Sequence, residues 1–223
     1  MKMDLTPLLI SLKTACTAIV FTFLLGIAAA KWVVSIKHRW VKTIVDGLFT
    51  LPLVLPPTVA GFFLLCIFGV YRPVGSFLFE IFGIKLAFSW SATVLAAIVV
   101  SFPLMYRAAR GALEQVDPEM AEAARTMGAG EWTIFTKIII PNAIPGIMTG
   151  AILAFVRGLG EFGATAMIAG NIAGKTRTLP LAVYSEVAAG NMDRAGIYVI
   201  ILVIASFIVV AGMNIFGNIG KNR

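Results

Sequence analysis

Polar residues are scarce along this chain, and they come in bunches. Between the bunches lie five apolar runs, roughly 11–33, 44–70, 88–108, 143–169 and 195–217. Each is close to the ~20 residues that a helix needs to cross a ~30 Å hydrocarbon core. None keeps a charged face at helical spacing. Each is apolar nearly all round, as a helix surrounded by lipid must be. The pattern predicts an all-α membrane protein with about five transmembrane helices, folded as one domain over 1–223.

Composition points the same way. Of 223 residues, 59% are hydrophobic and 13% are charged, with a mean hydropathy of +0.94. A soluble domain has about a quarter of its residues charged, so the surplus apolar surface calls for a lipid bilayer. Cys16 and Cys66 sit inside apolar runs with no metal-ligand spacing and read as buried packing residues. His38, the single histidine, lies in a basic loop. No metal site, cofactor or catalytic triad is predicted.

The net charge of +7 could suggest nucleic acid in a soluble protein. Here the basic residues cluster at the ends of the apolar runs, so membrane topology explains them better and no nucleic acid is expected. Lys31, Lys37, Arg39 and Lys42 follow the first run. Arg107, Arg110, Arg125 and Lys137 lie between the third and fourth, and Lys221 and Arg223 end the chain. Placing these ten of 18 basic residues inside leaves Lys2, Arg72, Lys85, Lys175, Arg177 and Arg194 outside, with Lys13 and Arg157 within the apolar runs. The positive-inside rule then gives N-terminus out and C-terminus in. Lys13 and Lys31 can snorkel from the ends of the first span. No cleavable signal peptide is evident.

Two stretches break the apolar pattern. In LPLVLPPTVAG, Pro52, Pro56 and Pro57 each remove a backbone donor, so the second span must kink or break. In lipid the freed carbonyls need protein or water. The kink either shapes packing passively or forms a gate lining a pore. The second stretch, VDPEMAEAARTMGAG, reads as a short capped helix. Asp117 suits the N-cap, Pro118 the first turn and Glu119 the positive end of the dipole, and Gly128 and Gly130 can end it. Met120, Ala123, Ala124 and Met127 make a small apolar face, with Glu119, Glu122 and Arg125 on the other side. A helix this short does not stand alone in water. It docks either on its own chain or on a soluble partner. Segment 170–194 is too polar to span, and within it RTLPLAVYSEVAAG predicts a short outer helix ended by Gly190.

The stretch EAARTMGAGEWTIFTKIIIPNAIPG is similar to the EAA loop of ABC importer permeases. It matches at Glu122, Ala123, Ala124, Gly128, Ile138 and Pro141, with Ile140 where leucine is usual. FTLPLVLPPTVAGFFLL, AFSWSATVLAA, FPLMYRAARGALEQVD, GEFGAT and TRTLPLAVY follow in the order seen in molybdate ABC transporter permeases. The resemblance covers nearly the whole chain. It implies a type I ABC importer permease fold and a homodimer with a second copy of this chain. It also implies two ABC ATPase subunits and an extracytoplasmic molybdate-binding protein, in the cytoplasmic (inner) membrane. The loop 111–141 would be the cytoplasmic coupling loop, fitting a groove on the ATPase. The chain itself would not be an enzyme, since ATP hydrolysis would fall to the partner. Some relatives carry an extra N-terminal span, and this chain is expected to lack it.

Arg157 and Glu161 stand four apart in the fourth run and would share a helix face. Charges at membrane depth usually face the bundle interior or water. They form either a neutralising pair between helices or a polar element near the translocation path. Because Glu161 largely cancels Arg157, no anion site is assigned there. GNIAGKT, 170–176, resembles a P-loop but has three residues where the motif needs four. Rival functions are a tungstate or sulfate permease, a stand-alone secondary transporter or channel, and an intramembrane enzyme. The lack of duplicated halves and the few intramembrane ionisable residues speak against the second. The single histidine speaks against the third.

Overall fold

The structure, a computed structural model, describes residues 4–219, with side chains placed through residue 212. Lys2, Lys221 and Arg223, used above in the topology count, lie outside the described residues. Eleven α-helices and one π-turn are described: α1 Thr6–Val34, α2 Arg39–Val54, α3 Pro57–Phe68, α4 Pro73–Phe82, α5 Trp90–Glu114, α6 Pro118–Thr126, α7 Glu131–Ile134, the π-turn Phe135–Ile139, α8 Ile140–Leu159, α9 Gly163–Ile168, α10 Leu179–Ala188 and α11 Met192–Ile219. By length and composition, four helices can cross a membrane, or five if the bent pair α2–α3 counts as one span.

The core is three helices, α1, α5 and α8, packed side by side. Between them lie Ala30, Val33, Met105, Tyr106, Ala109, Ile147, Ala151 and Ala154. Lipid tails are as apolar as leucine, so such helices associate through close packing of small residues and interhelical hydrogen bonds. Both devices are present. A methyl group on Gly150 of α8 would fall 2.5 Å from Ala108 Cβ on α5. Thr14 and Thr93 share a buried hydrogen bond at 2.9 Å, and Thr22 and Ser101 share another at 3.2 Å, both joining α1 to α5.

The second apolar run, 44–70, is not one kinked span but two helices meeting at 111°. The break is at Leu55–Pro56. A residue before proline is pushed out of the α region. Leu55 and Pro56 both precede prolines, and both are extended, with ψ of 140° and 135°. Pro52 remains inside α2.

The fourth run, 143–169, also needs correction. Its helix starts earlier, at Glu131, and continues through the π-turn to Leu159. The polar Thr136 does not end it, because its hydroxyl donates to the Trp132 carbonyl at 2.8 Å. The chain then breaks at Gly160–Phe162 and resumes as α9, which packs on α3. Arg157 and Glu161 are therefore not on one helix face, since Glu161 lies beyond the end of α8. Cys16, expected to be buried, is exposed on α1, and Cys66 is half-buried. A thiol is apolar enough to face lipid.

Candidate functional site: a capped loop helix and two broken helices

Local chemistry builds α6. The Asp117 carboxylate accepts the Glu119 amide at 2.9 Å, and Pro118 occupies the first turn. At the other end, the Gly128 amide donates to the Arg125 carbonyl at 2.9 Å, and the Ala129 amide donates to Ala124 at 3.0 Å. This is a Schellman ending, with Gly128 at φ +84°. Gly130, by contrast, is extended at φ −72° and caps α7.

Ala121 and Ala124 pack on Ile134, with Ala129, Ile138 and Ile139 around them. The buried face of α6 is thus Ala121–Ala124, not the expected Met120–Ala123–Ala124–Met127. Small side chains let α7 come close on that side. Glu122, Ala123 and Gly128 are exposed, and so are Met120 and Met127 at 44% and 87%. Among the described residues, the apolar side chains at 120, 123 and 127 are left largely uncovered. A cleft of ≈ 280 Å³ runs beside the start of the helix, lined by Gln115, Asp117, Met120, Asn142 and Pro145.

A fork of two contacts closes the loop. Arg125 Nε meets Glu131 Oε1 at 2.6 Å, and Nη2 meets Oε2 at 3.1 Å. Hydrogen bonding to Arg125 holds the Glu131 carboxyl below the usual glutamate range, and the same bond pushes the Arg125 guanidinium up. Both are exposed, so the pair orients the loop more than it stabilises it. Lys31, in the last turn of α1, sits 4.7 Å above the Trp132 ring and 3.7 Å above the Phe135 ring. The loop is therefore tied to α1 by cation–π contacts. Pro141 lies exposed in the first turn of α8, directly after the π-turn. Such turns mark places where a helix can change register.

Away from the loop, the two broken helices meet. A Cβ on Gly61 of α3 would fall 2.6 Å from Ala164 Cα on α9, and one on Gly163 would fall 3.0 Å from Pro57 Cβ. Next to this contact Glu161, 2% exposed, pairs with Arg157 at 2.7 Å. Its other oxygen accepts the Ala164 amide at 2.7 Å. Pro57 thus touches the second broken helix, while Pro52 lies inside α2 and Pro56 sits in the hinge itself.

The segment 170–176 folds on itself as a tight turn. The Thr176 hydroxyl accepts the Ile172 amide at 3.0 Å and lies 3.3 Å from the Gly170 carbonyl. Among the described residues no three His, Cys, Asp or Glu side chains gather as a metal site. One cluster was missed in the sequence. Lys42 and Asp46 on α2 meet Arg110 and Glu114 on α5, joined by Tyr106. The available signal was Asp46, an acid near the start of an apolar run.

Residues 22–221 match the family described as the binding-protein-dependent transport system inner membrane component. The molybdenum transport system permease protein ModB of Escherichia coli strain K12 is 45% identical over 199 residues, covering 88% of this chain and 86% of that protein. Among solved structures, the MetNI methionine ABC transporter in inward-facing conformations aligns with a TM-score of 0.74 at 18% identity, covering 96% of this chain and 94% of its own. A bacterial alginate ABC transporter, in complex with an alginate pentasaccharide-bound periplasmic protein, aligns with a TM-score of 0.74 at 16% identity, covering 96% of this chain and 78% of its own. The fold is that of type I ABC importer permeases, and the chain is a multi-pass membrane protein. It belongs to the family of binding-protein-dependent transport system inner membrane components.

Proposed function

We propose that this chain is the membrane permease subunit of an ATP-driven importer that moves molybdate inward by alternating access. The observation that carries the reading is the exposed Met120–Ala123–Met127 side of α6. It is an apolar surface on a helix held firmly by its own caps and by Ile134. A soluble ATPase subunit would seat on it, with Glu122 at the rim, and 111–141 would be the cytoplasmic coupling loop.

In this reading one domain over 1–223 pairs with a second copy of itself, and two ATPase subunits and an external molybdate-binding protein complete the assembly. The N-terminus lies outside and the C-terminus inside the cytoplasmic membrane. The permease hydrolyses nothing. ATP binding to the partner favours one of two membrane conformations because the partner grips α6 differently in each. Pro56 and Pro57 supply the hinge of the gate. The identity to a molybdenum permease supports the substrate.

Proteoliposomes holding this chain, its ATPase and its binding protein test the reading. Molybdate-loaded binding protein should stimulate ATP hydrolysis and uptake, and Glu122→Lys should abolish both. Equal stimulation by sulfate or tungstate would keep the architecture and discard the substrate. Absence of any ATPase association would favour a stand-alone secondary transporter.

A further inference from the structure

Helix α2 buries none of its residues fully, so its polar pairs and rings fasten it to the bundle. Lys42 and Asp46 stand one turn apart on α2, as Arg110 and Glu114 do on α5. The two helices run antiparallel here, and each cation meets an anion. Lys42 Nζ lies 2.8 Å from Glu114 Oε1. Arg110 contacts Asp46 and also donates from Nε to Glu114 at 3.0 Å. The hydroxyl of Tyr106, a buried residue, donates to Asp46 at 2.8 Å. Phe49 extends the line, with ring centres 5.2 Å from Tyr106 and 5.5 Å from Phe102. A lone exposed ion pair contributes little. This one is a network of four charges sharing two carboxylates and anchored on a buried phenol.

The other half of the broken span is fastened to α9 and to the first half of α5, where Leu64 packs with Ala92, Ala96 and Val100. Helix α3 packs on α9 through Gly61 and Ala164. Only Leu55 and Pro56 separate the halves. Glu114 is the last residue of α5, three before Asp117, the N-cap of α6. A displacement of α6 therefore reaches the network almost directly.

We infer that Lys42, Asp46, Arg110 and Glu114 are positioning residues that lock α2 to α5 throughout the transport cycle, so that movement of α6 bends the broken span at Leu55–Pro56. The inference rests on α6 being the coupling helix. The lock does not open: α2 travels with the half of α5 beyond Pro103, α3 stays with α9 and the first half of α5, and the hinge absorbs the difference. Loosening the lock leaves ATP hydrolysis running while the gate fails to follow.

The test uses the complete complex in proteoliposomes, with Cys16→Ser and Cys66→Ser as the cysteine-free parent. Adding Lys42→Cys and Glu114→Cys should lower molybdate taken up per ATP hydrolysed about tenfold, within the usual range of coupling free energies. Stimulation of ATPase by loaded binding protein should persist. Joining the two introduced thiols with a short bifunctional reagent should restore the ratio, which no defect of folding or of ATPase docking would permit. Normal coupling in the unlinked pair would overturn the inference. So would a loss that persists once the thiols are joined, because a lock that must open cannot work when tied. A parent that shows no stimulation at all would overturn the importer reading itself, and this one with it.

Discussion

Glu161 lies beyond the end of the helix that carries Arg157, yet its carboxylate closes a 2.7 Å ion pair with that guanidinium and accepts the Ala164 amide at 2.7 Å. One side chain thus neutralises a charge near the end of α8 and caps α9. It is the bolt between a long helix and its broken-off continuation.

Removing that bolt should be costly. Glu161→Ala leaves Arg157 without its partner and Ala164 without its acceptor, and should lower stability by about 2–3 kcal/mol. Glu161→Gln keeps an acceptor for Ala164 and should cost less. Replacing both charges, Arg157→Met with Glu161→Gln, should recover part of the loss. Thermal unfolding of the purified chain in detergent reads all three, and a double variant no better than the worse single would show that the pair is not the cause.

The contact between the broken helices predicts a second asymmetry. Gly61→Ala places a methyl group 2.6 Å from the Ala164 backbone, which cannot yield as a side chain would. Helices α3 and α9 must separate, at a cost of about 1–3 kcal/mol. Gly47→Ala meets nothing within 4 Å and should be neutral or stabilising by up to about 1 kcal/mol. Melting temperatures of the two variants should move in opposite directions or differ clearly in size.

Gly128 and Gly130 both looked like stops for α6, but only one is bound by its backbone. Gly128 sits at φ +84°, so Gly128→Ala should cost about 1–2 kcal/mol. Gly130 has ordinary φ and open space, so Gly130→Ala should be tolerated. Hydrogen exchange over 118–134 should quicken in the first variant and not in the second. Equal rates in both would remove the distinction.

What could be read from the chain divides by the range of the chemistry. Asp117, Pro118 and Gly128 announced α6 because caps act within a few residues. The runs within α1, α5 and α11 announced helices because lipid demands nothing subtler than length and hydropathy. The break at Gly160–Phe162 stayed hidden because hydropathy continues across it to Ile168. The paired glycines of RGLGEFG were the clue. The Lys42–Glu114 bridge spans 72 residues of sequence. Arg110 and Lys42 each looked like a topological charge, and only the fold shows that each has a carboxylate to itself or to share. The face of α6 was misassigned because helical spacing alone does not say which side finds Ile134.

The Arg125–Glu131 fork carries a pH signature. Its hydrogen bond depresses the Glu131 pKa in the folded chain. A depressed carboxyl contributes stability fully above its unfolded value and loses it as pH falls through the folded value. Arg125 stays charged throughout. The fork should therefore be unchanged from pH 6 to 8 and open only below the ordinary glutamate value of 4.5. A carbon-13 titration of the Glu131 carboxyl in micelles should show a midpoint below that value, and Arg125→Gln should bring it back up. A midpoint unmoved by Arg125→Gln would assign the shift elsewhere.

The two central alanines of α6 separate folding from docking. Ala123 is exposed, and Ala124 packs on Ile134. Ala123→Trp adds bulk where only a partner would notice, so the melting temperature of the isolated chain should hold while the ATPase subunit no longer co-purifies. Ala124→Trp drives a ring into the Ala121–Ile134 contact and should destabilise the loop itself, by about 1–3 kcal/mol. The order of the two effects is the informative part. A fall in the melting temperature of Ala123→Trp would mean that this face is covered by the chain in its working state. Retained ATPase binding by the same variant, with an unchanged melting temperature, would move the docking surface off Met120–Ala123–Met127 and toward the cleft beside Asn142.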